Sequence, residues 1–191
     1  MKFVLAGIIA GAWLLGGAAV AAEVEGVKLA DKVRLGDGGP ELVLNGAGLR
    51  TRVFFKVYVG ALYLREKTAS SQAVFADNGP KRVAMHMLRD LTADQLFSAF
   101  NDGLKANHAP ADVVKFESQV KQLEGIFNAV KAAKSGDTIL LDYVPGAGTR
   151  VVVNGNAKGI IAGDEFNRAL LRIWLGDQPV DAALKKAMLG G

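Results

Sequence analysis

Two kinds of hydrophobic spacing divide the chain into strands and helices. Apolar residues that alternate with polar ones predict a strand, because successive side chains of a strand point to opposite faces of a sheet. The segment from Lys81 to Leu88 is the clearest case, with Val83, Met85 and Met87 on one face and Arg82, Ala84 and His86 on the other. Turn residues separate further β-type runs at residues 41–44, 138–144, 149–153 and 159–161, and Asn45–Gly48 predicts a bend or a bulge.

The segment from Leu49 to Leu64 is the most aromatic and β-branched run of the chain. It also carries cations, namely Arg50, Arg52 and Lys56. As one straight strand, it would place Arg50 and Tyr58 on the same face but about 26 Å apart, at roughly 3.3 Å per residue. These two side chains can meet only if the chain reverses around residues 51–55, and no Gly, Pro, Asn or Asp favours a turn there. The pattern therefore predicts a single strand.

Other segments show the spacing of three and four residues that is typical of amphipathic helices. The best defined begins with Thr92–Gln95, a capping box that precedes an apolar stripe and reaches to about Ala106. Pro110 suits the first turn of the next helix. Helices are also predicted at residues 68–76, 110–133, 164–176 and 180–189, and Asp164 is expected to cap the third of these.

The order of these elements predicts the fold class. Strands come first, then two helices, then more strands and two more helices. This order is typical of an α+β domain in which a mainly antiparallel sheet packs against a layer of helices.

The first residues have the composition of a secretory signal peptide. Lys2 is the only charged residue before Glu23, the segment between them is almost wholly apolar or Gly, and small residues precede Glu23. We therefore expect a leader at residues 1–22 that is cleaved near Ala22, and one mature domain at residues 23–191. A periplasmic location and no stable membrane span after cleavage would follow. The alternative is an uncleaved anchor helix, because about 20 apolar residues can cross a bilayer.

Composition and charge exclude several classes of function. The chain has no Cys, so disulfides, thiol catalysis and Cys-based metal sites are ruled out. The histidines, His86 and His108, lie on separate predicted elements without clustered carboxylates, so no metal site is expected. The net charge of +4 is spread along the chain without a basic tract, which argues against a nucleic-acid partner. No glycine pair has the context of a dinucleotide-binding motif, so no cofactor is expected.

Several stretches together resemble a known family. Gly46-Ala47-Gly48-Leu49-Arg50 and the run from Lys56 to Leu64 resemble the GAG-x-R motif and the following strand of the chalcone isomerase fold. Residues 81–91 and 166–176 are similar to the bacterial chalcone isomerase-like branch, and these matches follow the chain in order over nearly the whole mature domain. The resemblance implies an open-faced β-sandwich, in agreement with the α+β arrangement.

The resemblance also suggests which residues bind a ligand. In the enzymes of this family, the GAG-x-R arginine shares its pocket with a threonine, a tyrosine and an asparagine. Here Arg50 matches the arginine, whereas Tyr58, Leu96 and Gly103 stand at the other three positions. Ring closure needs donors where negative charge develops, and Leu96 and Gly103 supply none. An arginine paired with a tyrosine is instead similar to the fatty-acid-binding members of the family.

We therefore expect a non-catalytic protein that binds an apolar carboxylate, such as a fatty acid, between its sheet and helices through Arg50 and Tyr58. One alternative is an intramolecular lyase or isomerase in which Arg50 is the electrophile and Tyr58 or His86 transfers a proton. Another is a cell-envelope interaction protein with a vestigial pocket. A closed apolar cavity ending at Arg50 would favour binding, and a filled core would favour the interaction protein.

Four other charged residues are expected to have ordinary surface roles. Arg52 and Lys56 should be solvated or lie at the rim of the strand. Arg89 should form a local ion pair with Asp90 at the corner between a strand and a helix.

Overall fold

The computed structural model describes residues 20–191, and the side chains from residue 22 onward. The strands are β1 (Val20–Val24), β2 (Val27–Ala30), β3 (Lys32–Arg34), β4 (Glu41–Arg52), β5 (Phe55–Leu64), β6 (Lys81–Met87), β7 (Leu91–Thr92), β8 (Ala132–Ala133), β9 (Thr138–Val144), β10 (Gly148–Val153) and β11 (Asn156–Ile161). The helices are α1 (Ser71–Ala76), α2 (Ala93–Ala106), α3 (Pro110–Lys115), α4 (Glu117–Val130), α5 (Asp164–Leu175) and α6 (Ala182–Met188). The predicted leader at residues 1–22 lies almost wholly outside the described residues.

A curled antiparallel sheet forms the centre of the fold, with the strand order β11-β10-β9-β6-β5-β4-β3. This arrangement confirms the predicted fold class. The predicted bulge is also present, because the pairing of β4 with β5 shifts register at Asn45, between Leu44 and Gly46. From Val57 to Leu64 every residue of β5 is buried, on both faces of the sheet. A strand that is covered on both faces shows no alternation of apolar and polar residues, which explains the continuous apolar pattern of this segment.

The helices cover one face of the sheet and form the larger hydrophobic core with it. Trp174 on α5 packs edge-on against Phe100 of α2, with the ring centroids 5.6 Å apart, and Phe127 of α4 lies 5.2 Å from the same ring. The capping box at Thr92 and Gln95 is confirmed: each side chain accepts a hydrogen bond from the backbone N–H of the other residue. The side chains of Tyr58 and Leu62 join this core from the sheet.

The predicted helix at residues 110–133 is divided in two. Phe116 is the C-cap of α3 and the N-cap of α4, and α4 ends at Val130 because Lys131 adopts a left-handed φ of 68°. Residues 132–133 then form β8, which pairs with β7. Gly163, and not Asp164, occupies the N-cap of α5.

The opposite face of the sheet is covered by the hairpin of β1 and β2. Leu29 on β2 is buried in a second, smaller core with Val59 and Tyr63 of β5. Beside this core, Asp142 on β9 lies between Arg82 on β6 and Arg150 on β10, one partner on each neighbouring strand. Asp142 is fully buried, so the sheet contains an ion-pair network that the sequence pattern did not reveal.

Candidate functional site

The chain reverses at Val53 and Phe54, so the predicted single strand from Leu49 to Leu64 is wrong. Arg52 pairs with Phe55 across a two-residue loop, and β4 and β5 run antiparallel from there. Val53 has a φ of 58° although its side chain is β-branched, and Phe54 has a negative φ. A positive φ at the first loop residue alone is the pattern of a type II′ turn, where Gly normally stands. The pairing of β4 with β5, together with the burial of β5 from Val57 onward, therefore overrides the local turn preferences.

The reversal places the two predicted ligand-binding residues side by side. Arg50 and Tyr58 are direct partners in the β4–β5 register, and the guanidinium carbon of Arg50 lies 5.4 Å from the centre of the Tyr58 ring. This is the distance of a cation–π contact. The Tyr58 hydroxyl accepts a hydrogen bond of 2.8 Å from the indole N–H of Trp174. The Nε atom of Arg50 is buried and hydrogen-bonds to none of the described residues.

The environment of Tyr58 keeps its hydroxyl protonated. Burial raises the pKa of Tyr58, and the nearby carboxylate of Asp181 acts in the same direction. The positive charge of Arg50 and the hydrogen bond from Trp174 oppose this shift but do not cancel it. The hydroxyl already accepts from Trp174, so its own proton remains available for an acceptor beside Arg50.

The glycines of the GAG-x-R motif allow helix α6 to approach the sheet. A Cβ atom on Gly48 would lie 2.6 Å from the Cβ of Ala187, and one on Gly46 would lie 2.1 Å from the Ala187 carbonyl oxygen. Gly60 is the register partner of Gly48, and a Cβ there would lie 3.2 Å from Leu184. Helix α6 therefore covers the strands next to Arg50 and Tyr58 at backbone contact distance.

Replacing Gly48 by Ala is expected to destabilise the protein by about 1–3 kcal/mol, because the new methyl group overlaps Ala187. In a chain that also carries Ala187→Gly, the overlap disappears, so the two changes should be non-additive in urea unfolding. Gly125→Ala is the control. Gly125 lies on α4, and apart from the backbone of its own helix no atom comes within 4 Å of the place a Cβ would take, so this change should stabilise the helix by about 1 kcal/mol. Strict additivity of Gly48→Ala and Ala187→Gly would contradict the packing argument.

Asp181 joins the start of α6 to β4 beside Arg50. One carboxylate oxygen accepts hydrogen bonds from the backbone N–H groups of Ala183 and Leu184, and the other accepts from the backbone and the hydroxyl of Thr51. Burial raises the pKa of Asp181, but these hydrogen bonds outweigh it and hold the pKa below its ordinary value. An ionised carboxylate therefore anchors α6 at neutral pH.

Asn45 fastens the other end of α6. Its side-chain amide donates to the carbonyl oxygen of Met188 at 2.7 Å and to that of Thr68 at 3.0 Å, and its oxygen accepts from the Thr68 N–H at 2.7 Å. The bulge at Asn45 thus turns a polar side chain of β4 toward the end of α6. Polar contacts therefore hold helix α6 at both of its ends.

The space between the sheet and the helices is filled with side chains. Among the described residues, small cavities of about 10 Å³ border this space, for example one next to Trp174 and one next to Phe100. A cavity of this size holds about one water molecule. Leu96 and Gly103 of α2 are both buried, and a Cβ on Gly103 would lie 2.8 Å from Ile173. A long ligand can enter here only if the packing opens.

His86 lies on the other face of the sheet from the Arg50–Tyr58 pair. It faces Thr138, with 3.2 Å between its Nδ1 atom and the Thr138 hydroxyl, and it lines a surface pocket of about 280 Å³ with Tyr63 and Arg82. Burial lowers the pKa of His86. Because the sheet separates it from Arg50, His86 cannot transfer a proton in a reaction at Arg50.

The remaining charged positions near the hairpin are now placed. Arg52 is exposed, as predicted, and Lys56 is exposed and pairs with Glu25. The predicted ion pair between Arg89 and Asp90 is wrong. Asp90 pairs with Lys134 at 2.9 Å, whereas the guanidinium of Arg89 lies 4.8 Å from the centre of the Phe55 ring.

Sequence reasoning missed Trp174 and Asp181 as parts of this site. Trp174 looked like one more member of an apolar helix stripe, and nothing in the spacing shows that its N–H meets Tyr58. Asp181 precedes the last helix directly, and an Asp at that place is a common N-cap. The N-cap role was therefore readable from the sequence, but the contact with Thr51 was not.

Two absences concern only the part of the chain that the structure describes. Within residues 20–191, His, Asp and Glu side chains form no group of three that could hold a metal ion. No helix in the same range has both the length and the apolar character needed to cross a membrane.

Comparison with known proteins identifies the family. The family model described as chalcone isomerase-like matches residues 21–190, almost the whole of the described chain. The chain belongs to the chalcone isomerase-like family. This assignment confirms the family resemblance of the sequence motifs. A comparison with curated proteins finds no match.

A solved structure supports the same fold. The chain is similar to a fatty-acid binding protein of Arabidopsis thaliana, with a TM-score of 0.58 and 15% sequence identity. The similarity covers 83% of this chain and 95% of the Arabidopsis chain. At this identity the likeness establishes a shared chalcone isomerase-like fold.

Proposed function

We propose that this chalcone isomerase-like protein binds a long-chain fatty acid, or a similar apolar carboxylate, and holds its carboxylate between Arg50 and Tyr58. The observation that carries the proposal is the Nε–H of Arg50. This donor is buried on the residue that pairs with Tyr58, and none of the described residues accepts a hydrogen bond from it. A buried donor without an acceptor is costly, so an acceptor from a ligand would stabilise the site.

The chemistry of the pair fits a carboxylate. A guanidinium presents donors in a planar fork, and its hydrogen bonds to a carboxylate are charge-assisted. The neutral hydroxyl of Tyr58 can donate to the same group, and Trp174 fixes the position of that hydroxyl at 2.8 Å. The fold shared with a fatty-acid binding protein gives independent support for this ligand class.

The hydrocarbon tail would extend into the space between the sheet and the helices. Each CH₂ group that leaves water contributes about 0.8 kcal/mol, so a long tail supplies most of the affinity. Because the cavities there are only about 10 Å³, binding requires α6 or a neighbouring helix to move. Helix α6 is a short helix near the end of the chain, and it covers the strands next to Arg50 and Tyr58. We place the entrance beneath it.

The test starts with the protein purified from the cell envelope, followed by native mass spectrometry and identification of any lipid released. Its affinity for a long-chain fatty acid is then compared with that for the methyl ester of the same acid, in solution by calorimetry. We expect a co-purifying acid and about tenfold or greater preference for the free acid, because the ester lacks the charge that Arg50 recognises. Equal affinities, with no co-purifying amphiphile, would refute the proposal.

A second candidate is a cell-envelope interaction protein with a vestigial pocket. The filled space between sheet and helices is the observation that favours it. The same experiment distinguishes the two, because a vestigial pocket would neither retain a lipid nor select the free acid. For both candidates we propose a periplasmic location, based on the leader predicted at residues 1–22. The N-terminal residue of the envelope form, read by mass spectrometry, tests that location and the cleavage near Ala22.

A further inference from the structure

The tip of the β4–β5 hairpin exposes consecutive large apolar side chains. Val53 is 79% exposed, Phe54 is 93% exposed and Phe55 is 60% exposed. Scattered exposed apolar residues are common, but a contiguous group at a protruding tip marks a contact surface. The positive φ of Val53 adds backbone strain that a Gly at this position would avoid. The tip therefore carries a large apolar side chain although Gly would suit the turn better.

Two cations lie next to this tip. Arg52 is exposed and makes no ion pair with any described residue, and Arg89 stacks on Phe55 at 4.8 Å without a carboxylate partner in residues 20–191. The nearby carboxylates are already engaged. Glu25 pairs with Lys56, and Asp181 accepts hydrogen bonds from Thr51 and the start of α6. The tip therefore presents apolar side chains next to two guanidinium groups, Arg52 and Arg89, which we call its cationic rim.

From this arrangement we propose that the hairpin tip, residues 52–55 with Arg89, docks the protein on an anionic lipid bilayer. The apolar side chains enter the boundary between headgroups and acyl chains, and the guanidinium groups meet the anionic headgroups. Apolar groups within a ring of cations are the combination that binds peripheral proteins to anionic membranes.

The shape of the tip favours a bilayer over a folded protein partner. A stable protein interface usually buries about 800 Å² on each partner, with matched shapes. Here the exposed apolar side chains are three consecutive residues in and next to a two-residue loop, too few to form an interface of that size. A fluid bilayer adapts to such a shape, whereas a rigid surface would need a deep complementary pocket.

Docking at this tip would also bring the ligand-binding pair near the membrane. Arg50 lies near the end of β4 and precedes Val53 by three residues, about 10 Å in extended chain. A docked tip would therefore place the Arg50–Tyr58 pair close to the headgroups. Docking itself needs no bound fatty acid, so it can be tested apart from the proposed function.

The experiment is sedimentation of the protein purified from the cell envelope together with lipid vesicles. One set contains equal parts of phosphatidylcholine and phosphatidylglycerol, and the other contains phosphatidylcholine alone. Wild type should bind the anionic vesicles more strongly, and Phe54→Ser should weaken this binding about tenfold, because the most exposed apolar group of the tip is lost. Val114→Ser, at a 69% exposed site on α3, is the matched control and should bind like wild type.

A charge reversal tests the cationic rim. Arg52→Glu should weaken binding to the anionic vesicles about tenfold, since each cation near such a surface contributes to the attraction, and should leave binding to pure phosphatidylcholine nearly unchanged. Lys158→Glu, at an exposed position on β11 at the opposite edge of the sheet, makes the same charge change and serves as control.

Phe54→Trp should give a blue shift of tryptophan emission when anionic vesicles are added.

Several results would overturn the proposal. They are equal vesicle binding by Phe54→Ser, Val114→Ser and wild type, an absence of the emission shift in Phe54→Trp, or equal losses for Arg52→Glu and Lys158→Glu. A change from dimer to monomer in Phe54→Ser without any effect on vesicles would assign the tip to self-association instead. Sedimentation velocity without lipid measures the oligomeric state directly.

Discussion

Asp142→Ala is expected to destabilise the protein by about 3–5 kcal/mol, because it leaves the largely buried guanidinium of Arg82 and the partly buried one of Arg150 without their counter-ion. Arg82 donates to both carboxylate oxygens of Asp142, from Nε at 2.5 Å and from Nη2 at 2.8 Å. Arg150 donates to the second oxygen at 3.1 Å. The side chain of Asp142 is 1% exposed and that of Arg82 is 11% exposed, so water cannot replace the lost partner easily. Urea unfolding followed by circular dichroism gives the free-energy difference.

A triple variant separates the contribution of the charges from that of side-chain packing. In Asp142→Leu with Arg82→Met and Arg150→Met, no charge of the network remains, and apolar groups fill a similar volume. Replacing a whole buried ion network in this way is often neutral or stabilising, so most of the loss seen in Asp142→Ala should be recovered. A triple variant that is less stable than Asp142→Ala would show that the network contributes net stability beyond the cost of a broken pair.

The elements of this fold that could be predicted from sequence are those with a local physical signal. The capping box at Thr92 and Gln95 forms within four consecutive residues, so its pattern is legible without tertiary information. The alternation in β6 is equally legible, because one face of that strand packs on the helices while Arg82 and His86 point to the other. The element order predicted the α+β class, and the family motifs predicted the particular fold within that class.

The hairpin at Val53 and Phe54 could not be predicted, because its cause is not local. No residue of the loop favours a turn, and Val53 disfavours the φ of 58° that it adopts. The reversal is stabilised by strand pairing from Val43 to Leu64 and by the burial of β5. Similarly, the glycines Gly46 and Gly48 suggested a bend, whereas their main effect is to admit helix α6, which begins more than a hundred residues later.

The candidate site shows the same division between local and long-range information. The family motif pointed to Arg50. The distance between Arg50 and Tyr58 on a single straight strand argued against a shared site, and the hairpin removes that objection. Trp174 reaches Tyr58 from a helix at the other end of the chain, so only the tertiary structure could reveal the contact. Residue identity therefore named Arg50 and Tyr58 as candidates, and the hairpin supplied the geometry that brings them together.

Arg50→Gln is expected to weaken binding of a long-chain fatty acid in solution by about 10- to 100-fold, because hydrogen bonds to a charged group contribute about 1.5–3 kcal/mol. Gln keeps an amide donor but loses the charge and the planar fork. Arg50→Lys keeps the charge without the fork and should lie between Gln and wild type. Isothermal titration calorimetry with the free acid measures these affinities. Arg34→Gln removes an exposed arginine from β3 and is the matched control, with wild-type affinity expected.

Tyr58→Phe tests the second donor of the pair. It removes the hydroxyl that would donate to the carboxylate, so affinity should fall by roughly 2- to 10-fold, less than in Arg50→Gln, because a neutral hydrogen bond is weaker. It also leaves the indole N–H of Trp174 without its acceptor, so stability must be measured alongside affinity. Arg50→Gln should bind the methyl ester about as well as wild type does, because the ester has no charged carboxylate with which Arg50 could interact. An Arg50→Gln protein that is folded and binds the free acid as tightly as wild type would remove Arg50 from the site.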